Sequence, residues 1–182
     1  MQFNIGDSLD ILKRTPFVLE TLLGGLSEPW VSQNEGEGTW SPYDVMGHLI
    51  HGEKTDWIPR MMIILSEADN KKFTPFDMFA QFEESRGKSL ADLINEFKIL
   101  RADNLRKMEE QTFTKEMLKR KGIHPEFGDA TLQQLLATWV VHDLAHICQI
   151  SRVMAKQYKE EIGPWIRFFS IFNKPAVNPL ST

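Results

Sequence analysis

Apolar residues recur at three- and four-residue intervals through nearly the whole chain, and nowhere do they alternate over the length of a strand. That periodicity restricts the fold to amphipathic helices packed on one another, and the helix ends can be read from their caps. Thr15-Pro16 reads as a cap and a first-turn proline ahead of Phe17, Val18, Leu19, Leu22 and Leu23, with Gly24-Gly25 as the stop. Residues 8–13 add a helical turn or two before that interruption. Ser41-Pro42-Tyr43-Asp44 opens a second helix, with Asp44 near the positive end of its dipole. The pattern runs to about Leu65, and Pro59 should kink it by removing the bond to the Thr55 carbonyl. Ser89 with Asp92 starts a third helix that continues through Met108. Thr131 with Gln134 forms a capping box for a fourth, which reaches about Gln157. A short aromatic helix is expected over residues 164–172.

Two long connections remain, residues 67–88 and 111–130, and loops of that length usually carry function or conceal short helices. No Asn-Gly or Asp-Gly turn suggests a hairpin. The expected fold class is all-α: a four-helix bundle with long crossover connections and a short C-terminal helix, in one domain over residues 1–182. Gly87-Lys88-Ser89 looks like the end of a phosphate loop, but the earlier glycine would fall at Phe82, so Ser89 is read as a helix cap.

A net charge of -4 with scattered basic residues argues against a nucleic-acid partner. No apolar run reaches the length of a membrane span, and MQFNIGDSLD lacks the basic start and apolar stretch of a signal peptide. The single cysteine, Cys148, excludes an internal disulfide framework and suits a reducing, cytoplasmic setting. As a side chain it reads as a partly buried, inert thiol.

Chemistry concentrates in five histidines: His48, His51, His124, His142 and His146. His142 and His146 are separated by about 40° around a helix and about 6 Å along it, so both rings can face one point. They share an angular sector with Leu132, Leu135, Trp139, Ile150 and Val153, which places them on the core-facing stripe. Two imidazoles buried side by side need ligation by a metal or hydrogen bonds from a neighbouring helix. His48, flanked by Val45 and Leu49 and with Gly52 leaving room beside it, is a third donor. Three histidines from two helices would leave an open coordination position for water or substrate. His51, about 60° from His48, is the rival third ligand. His124, before Pro125, is expected in solvent.

WSPYDVMGHLIHGE (residues 40–53) and ATWVVHDLAHICQI (residues 137–150) resemble the DinB superfamily of four-helix-bundle proteins. Weaker echoes are Arg14-Thr15-Pro16 and Ile162-Gly163-Pro164-Trp165. The resemblance implies a bundle with a long crossover, often a homodimer, and a divalent metal, zinc or nickel, held by His48, His142 and His146. Some relatives, the bacillithiol and mycothiol transferases, activate a low-molecular-weight thiol. Others are described as metal-dependent hydrolases or DNA-damage-inducible proteins. The resemblance thus implies a metal-dependent transferase or hydrolase acting on a small-molecule substrate. A non-catalytic metal-binding stress-response or small-molecule-binding module is the alternative.

No catalytic base is singled out. Asp44, Glu53, Asp56 and Asp143 are the acidic candidates; Glu53 and Asp56 read as solvated, and Asp143 as a partner of a ligand histidine or of a basic residue on another helix. Gln149 follows the histidine face. Residues 73–79, Phe-Thr-Pro-Phe-Asp-Met-Phe, are expected to cover the core or shape a pocket at one end of the bundle. The aromatics of residues 165–172 serve a dimer surface or cap the monomer.

Overall fold

A computed structural model of the chain describes residues 1–173; the last nine positions of the expected domain lie outside the described residues. Helix α1 (Ile5–Leu23) is followed by the short α2 (Glu28–Ser32), then α3 (Pro42–Thr55) and α4 (Trp57–Leu65). Next come α5 (Ala80–Ser85), α6 (Leu90–Glu109), α7 (Lys115–Lys119) and a hairpin of β1 (Lys121–His124) and β2 (Gly128–Thr131). The long α8 (Leu132–Lys156) precedes two 3₁₀ segments, Gly163–Phe168 and Ser170–Phe172.

The bundle consists of α1, α3 with its continuation α4, α6 and α8. Both α1 and α3 pack on α6 and on α8, so α1 stands diagonal to α3, and α6 to α8. The diagonal steps are therefore the α1–α3 and α6–α8 connections, whereas the long connection over residues 67–88 joins neighbouring helices. No described helix is long and apolar enough to cross a membrane.

Three expected starts form with reciprocal capping boxes: Ser41 with Asp44, Ser89 with Asp92, and Thr131 with Gln134. The first helix differs from expectation. It runs unbroken from an Asn4 cap through Pro16. Proline removes the bond that residue 16 would make to the Leu12 carbonyl, and Arg101 Nη1 from α6 donates to that carbonyl instead at 2.9 Å. A long-range contact thus replaces the missing local one. At Pro59 the expected kink is a break at Asp56 that separates α3 from α4. The terminal segment is 3₁₀ rather than α-helical, and its Trp165 and Phe168 are exposed.

The class is helical as expected, with one exception in the second long connection. The β1–β2 hairpin turns at Pro125-Glu126-Phe127 and closes through Gly128 at φ 71°, a three-residue turn rather than an Asn-Gly one. His124 is not in open solvent: its ring stacks on Phe127 at 4.5 Å between centroids. In the first long connection, Phe73 N donates to Ile123 O and Ile123 N to Lys71 O, tying residues 71–73 to the hairpin. Gly122 allows this, since a Cβ there would lie 2.3 Å from the Phe73 ring.

Two apolar clusters fill the bundle. One gathers Leu12, Trp57, Met61, Leu105, Leu136 and Trp139; the other Leu19, Met46, Leu49, Phe97 and Ile150. Along α6 the passage from one to the other occurs at Arg101 and Asn104, along α3 at Glu53, and along α8 at Asp143. A buried polar layer therefore divides the core. Arg101 reaches Asp143 with both Nη atoms (2.6 and 2.9 Å) and Glu53 at 2.8 Å. Asn104 donates to the Glu53 carboxylate at 3.0 Å, and Trp139 Nε1 to the same carboxylate at 3.1 Å. Burial opposes the charge on Arg101, but Glu53 and Asp143 outweigh it and hold the guanidinium above its ordinary value.

Candidate metal centre

The core-facing stripe of α8 carries His142 and His146 beside Asp143, and α3 brings His48 against them. His48 Nε2 lies 3.0 Å from His142 Nε2, and His146 Nε2 lies 3.1 Å from the same atom. The three expected ligands thus converge, each with a donor atom within 4.8 Å of the others. His48 is buried, whereas His142 and His146 are half-buried.

Amide oxygens set the tautomers. His48 Nδ1 donates to Gln81 Oε1 at 3.1 Å, and His146 Nδ1 to Gln149 Oε1 at 2.9 Å. Each of these rings then turns an Nε2 lone pair toward His142. A proton on His142 Nε2 would satisfy one of those lone pairs and leave the other facing it. His142 Nδ1 is itself buried with no partner among the described residues. A divalent cation accepts lone pairs from all three rings at once, so this donor set fits one. Burial lowers the pKa of all three histidines: His48 to about 3, helped by His146, and His142 well below its usual value, helped by His146 and His48. For His146, burial outweighs the Gln149 bond that acts in the opposite direction. The rings are therefore neutral at pH 7, the form that binds a metal.

Gln81 comes from α5, inside the first long connection. Gly47 lets α5 approach α3, because a Cβ at that position would lie 2.5 Å from Ser85 Oγ. Tyr43 OH lies 2.6 and 2.8 Å from the Ser85 and Lys88 carbonyl oxygens and shares its one proton between them, fixing the end of α5. Sequence periodicity gave no sign of Gln81, since six helical residues show too little pattern to place a ligand-supporting amide. Gln149, noted for its position after the histidines, supports His146 from within α8.

Aromatic rings wall the cluster. Trp40 lies 4.7 Å from the His48 ring and stacks with His146 at 6.4 Å. Phe76 meets His48 edge-on at 5.3 Å and His51 at 4.9 Å, so part of residues 73–79 covers the histidines, while Phe73 enters the core. Trp57 meets His142 edge-on at 5.0 Å. Gly52 makes room for the Trp57 indole, 3.4 Å from a Cβ built there, rather than for the His48 ring.

The remaining candidates are placed elsewhere. His51, the rival ligand, bonds Glu84 through Nδ1 at 2.9 Å and stands outside the three-nitrogen cluster. Asp44 is held by its capping box. Glu53 is fully buried, contrary to its reading as a solvated acid, because Arg101, 48 residues away, receives it. Asp56 is mostly buried and pairs with Arg60 at 2.8 Å. Asp143 takes the ion-pair role, with Arg101. Cys148 is exposed rather than partly buried.

The chain matches no curated protein. Among solved structures it is similar to YfiT from Bacillus subtilis, described as "a probable metal-dependent hydrolase with an unusual four-helix bundle topology". The two share 18% identity at a TM-score of 0.70, over 89% of this chain and 91% of that one, a likeness of fold. The family model of the DinB superfamily matches residues 11–150, which include all three converging histidines, and the chain belongs to that superfamily.

Proposed function

We propose that His48, His142 and His146 hold one divalent metal ion and that the centre catalyses hydrolysis of a small-molecule substrate. The observation that carries this reading is the convergence of three neutral imidazoles, two with their Nδ1 protons directed into glutamine oxygens so that Nε2 is left as a donor. Three protein nitrogens leave a coordination position open, the arrangement of catalytic rather than structural centres. When bound, such a cation supplies Lewis acidity toward water or a carbonyl group. Gln81 and Gln149 orient their histidines, and Trp40 and Phe76 exclude bulk water from the side they cover.

The description of YfiT as a metal-dependent hydrolase supports the same reaction class. Transfer of a low-molecular-weight thiol would use the same three nitrogens. The exposed Cys148 lies off that face, so the reacting thiol would come from a second substrate. The full chain loaded with zinc or nickel, beside a chelated control, should be assayed on 4-nitrophenyl esters and anilides. Parallel reactions would pair small thiols with an electrophile. Metal-dependent ester or amide cleavage is expected. Turnover in the thiol reactions alone would replace hydrolysis by transfer, and inactivity in both would favour a binding module.

A further inference from the structure

The acids of α3, of its break with α4 and of α8 that lie near the cluster are already engaged. Asp44 closes a helix cap, Glu53 and Asp143 share Arg101, and Asp56 pairs with Arg60. One titratable pair beside the histidine cluster has a free end. His51 is 5% exposed, and its Nδ1 lies 2.9 Å from Glu84 Oε1. Nδ1–H donates to that carboxylate, which leaves Nε2 as the basic nitrogen. Among the described residues, that nitrogen has no hydrogen-bond partner and is not among the polar atoms sealed from solvent.

The pair is built by the same seam that supports the metal ligand. His48 and His51 lie three residues apart on α3, Gln81 and Glu84 three apart on α5, and each histidine meets its partner across the two helices. Phe76 packs on both histidine rings, so His51 and His48 share one aromatic wall. Lys54 donates to the other Glu84 oxygen at 3.1 Å, which keeps that carboxylate ionised and fixed. The charged or titratable groups around His51 are Glu84 on α5, Asp56 at the α3–α4 break, and Lys54 and His48 on its own helix.

We propose that His51, oriented by Glu84, is the general base of the hydrolytic reaction, acting on the attacking water directly or through one intervening water. His51 Nε2 takes a proton as the water oxygen bonds to the substrate carbonyl carbon. The resulting imidazolium returns that proton to the leaving group as its bond to the carbon breaks, so no further reactant is needed. Glu84 holds the Nδ1 proton throughout and stabilises the transient charge. This inference rests on the hydrolytic reading above.

Two measurements on the zinc-loaded full chain test it. The first is peptide mapping after diethyl pyrocarbonate, which acylates accessible unprotonated imidazole nitrogens and needs no turnover. His51 should be modified while zinc protects His48, His142 and His146; an unreactive His51 beside a reactive His124 overturns the proposal. The second is cleavage of 4-nitrophenyl acetate by His51→Asn and Glu84→Gln. His51→Asn should retain one zinc, keep KM within about threefold and lose about 10²-fold in kcat. Glu84→Gln should keep one zinc and KM within about threefold while kcat falls about tenfold, because the Nδ1 proton loses the carboxylate that orients it. A His51→Asn protein with full zinc and kcat within twofold of wild type overturns the base and leaves hydrolysis standing. Loss of zinc in that variant also overturns it, by placing His51 among the groups that build the metal site. Zinc-loaded wild type inert toward every ester and amide overturns hydrolysis, and the base with it.

Discussion

Two buried polar clusters meet on α8, at Asp143 and at the adjacent His142, and they are satisfied in different ways. Around Arg101, every carboxylate oxygen of Glu53 and Asp143 receives a donor, and Leu12, Asn104 and Trp139 complete the set; the Arg101 Nε alone lacks a partner. Donors and acceptors match within the protein, as a structural network requires. In the histidine cluster, two lone pairs face a third nitrogen across about 3 Å, and His142 Nδ1 has no partner. On the proposed reading, a cation takes the three lone pairs of this second cluster. Charges paired within the protein mark the structural network, and converging lone pairs mark the proposed metal centre.

The largest expected effect that separates the clusters is acid sensitivity of the metal-free chain. His48 falls from 6.5 to about 3 on folding, and His142 and His146 are lowered as well. Between those values the unfolded chain binds protons that the folded one refuses, so stability is full above about pH 6.5 and falls as pH drops toward 3. Circular dichroism across that range should show cooperative unfolding, which saturating zinc moves to lower pH. A metal-free transition midpoint that stays flat from pH 7 to pH 4 would contradict this.

Next comes the charge cluster. Arg101→Met strands two buried carboxylates and should cost about 3–5 kcal/mol in urea unfolding. Because that network is structural, any variant protein that remains folded should still bind zinc; selective loss of zinc from a folded variant would merge the two clusters into one site. The smallest effect is reserved for a supporting amide. Gln81→Leu removes the acceptor for His48 Nδ1 and should weaken zinc binding about 10–100-fold, with the metal-free fold little changed. Unaltered affinity would show that His48 needs no support from α5.

Much of this arrangement was legible in residue order. The Ser41, Ser89 and Thr131 caps placed three of the bundle helices, since a capping box involves only residues three apart. His142 and His146 were legible for the same reason: four residues along a helix bring two rings to one face. What the sequence concealed depends on distant partners. Pro16 continues a helix because Arg101 accommodates its orphaned carbonyl, and Glu53 is buried because the same guanidinium receives it. Gln81 and Glu84 were hidden in a six-residue helix too short for a pattern, although that helix supports both His48 and His51. The hairpin escaped notice because its turn relies on Gly128 at positive φ after three other residues.

The most direct test of the central claim is metal stoichiometry, by elemental analysis after zinc reconstitution and removal of excess ion. Wild type should hold one equivalent, His142→Ala close to none, and both should be folded by circular dichroism. A wild type that retains no metal, or a His142→Ala protein that retains as much as wild type, would contradict the assignment of His48, His142 and His146 as a metal centre.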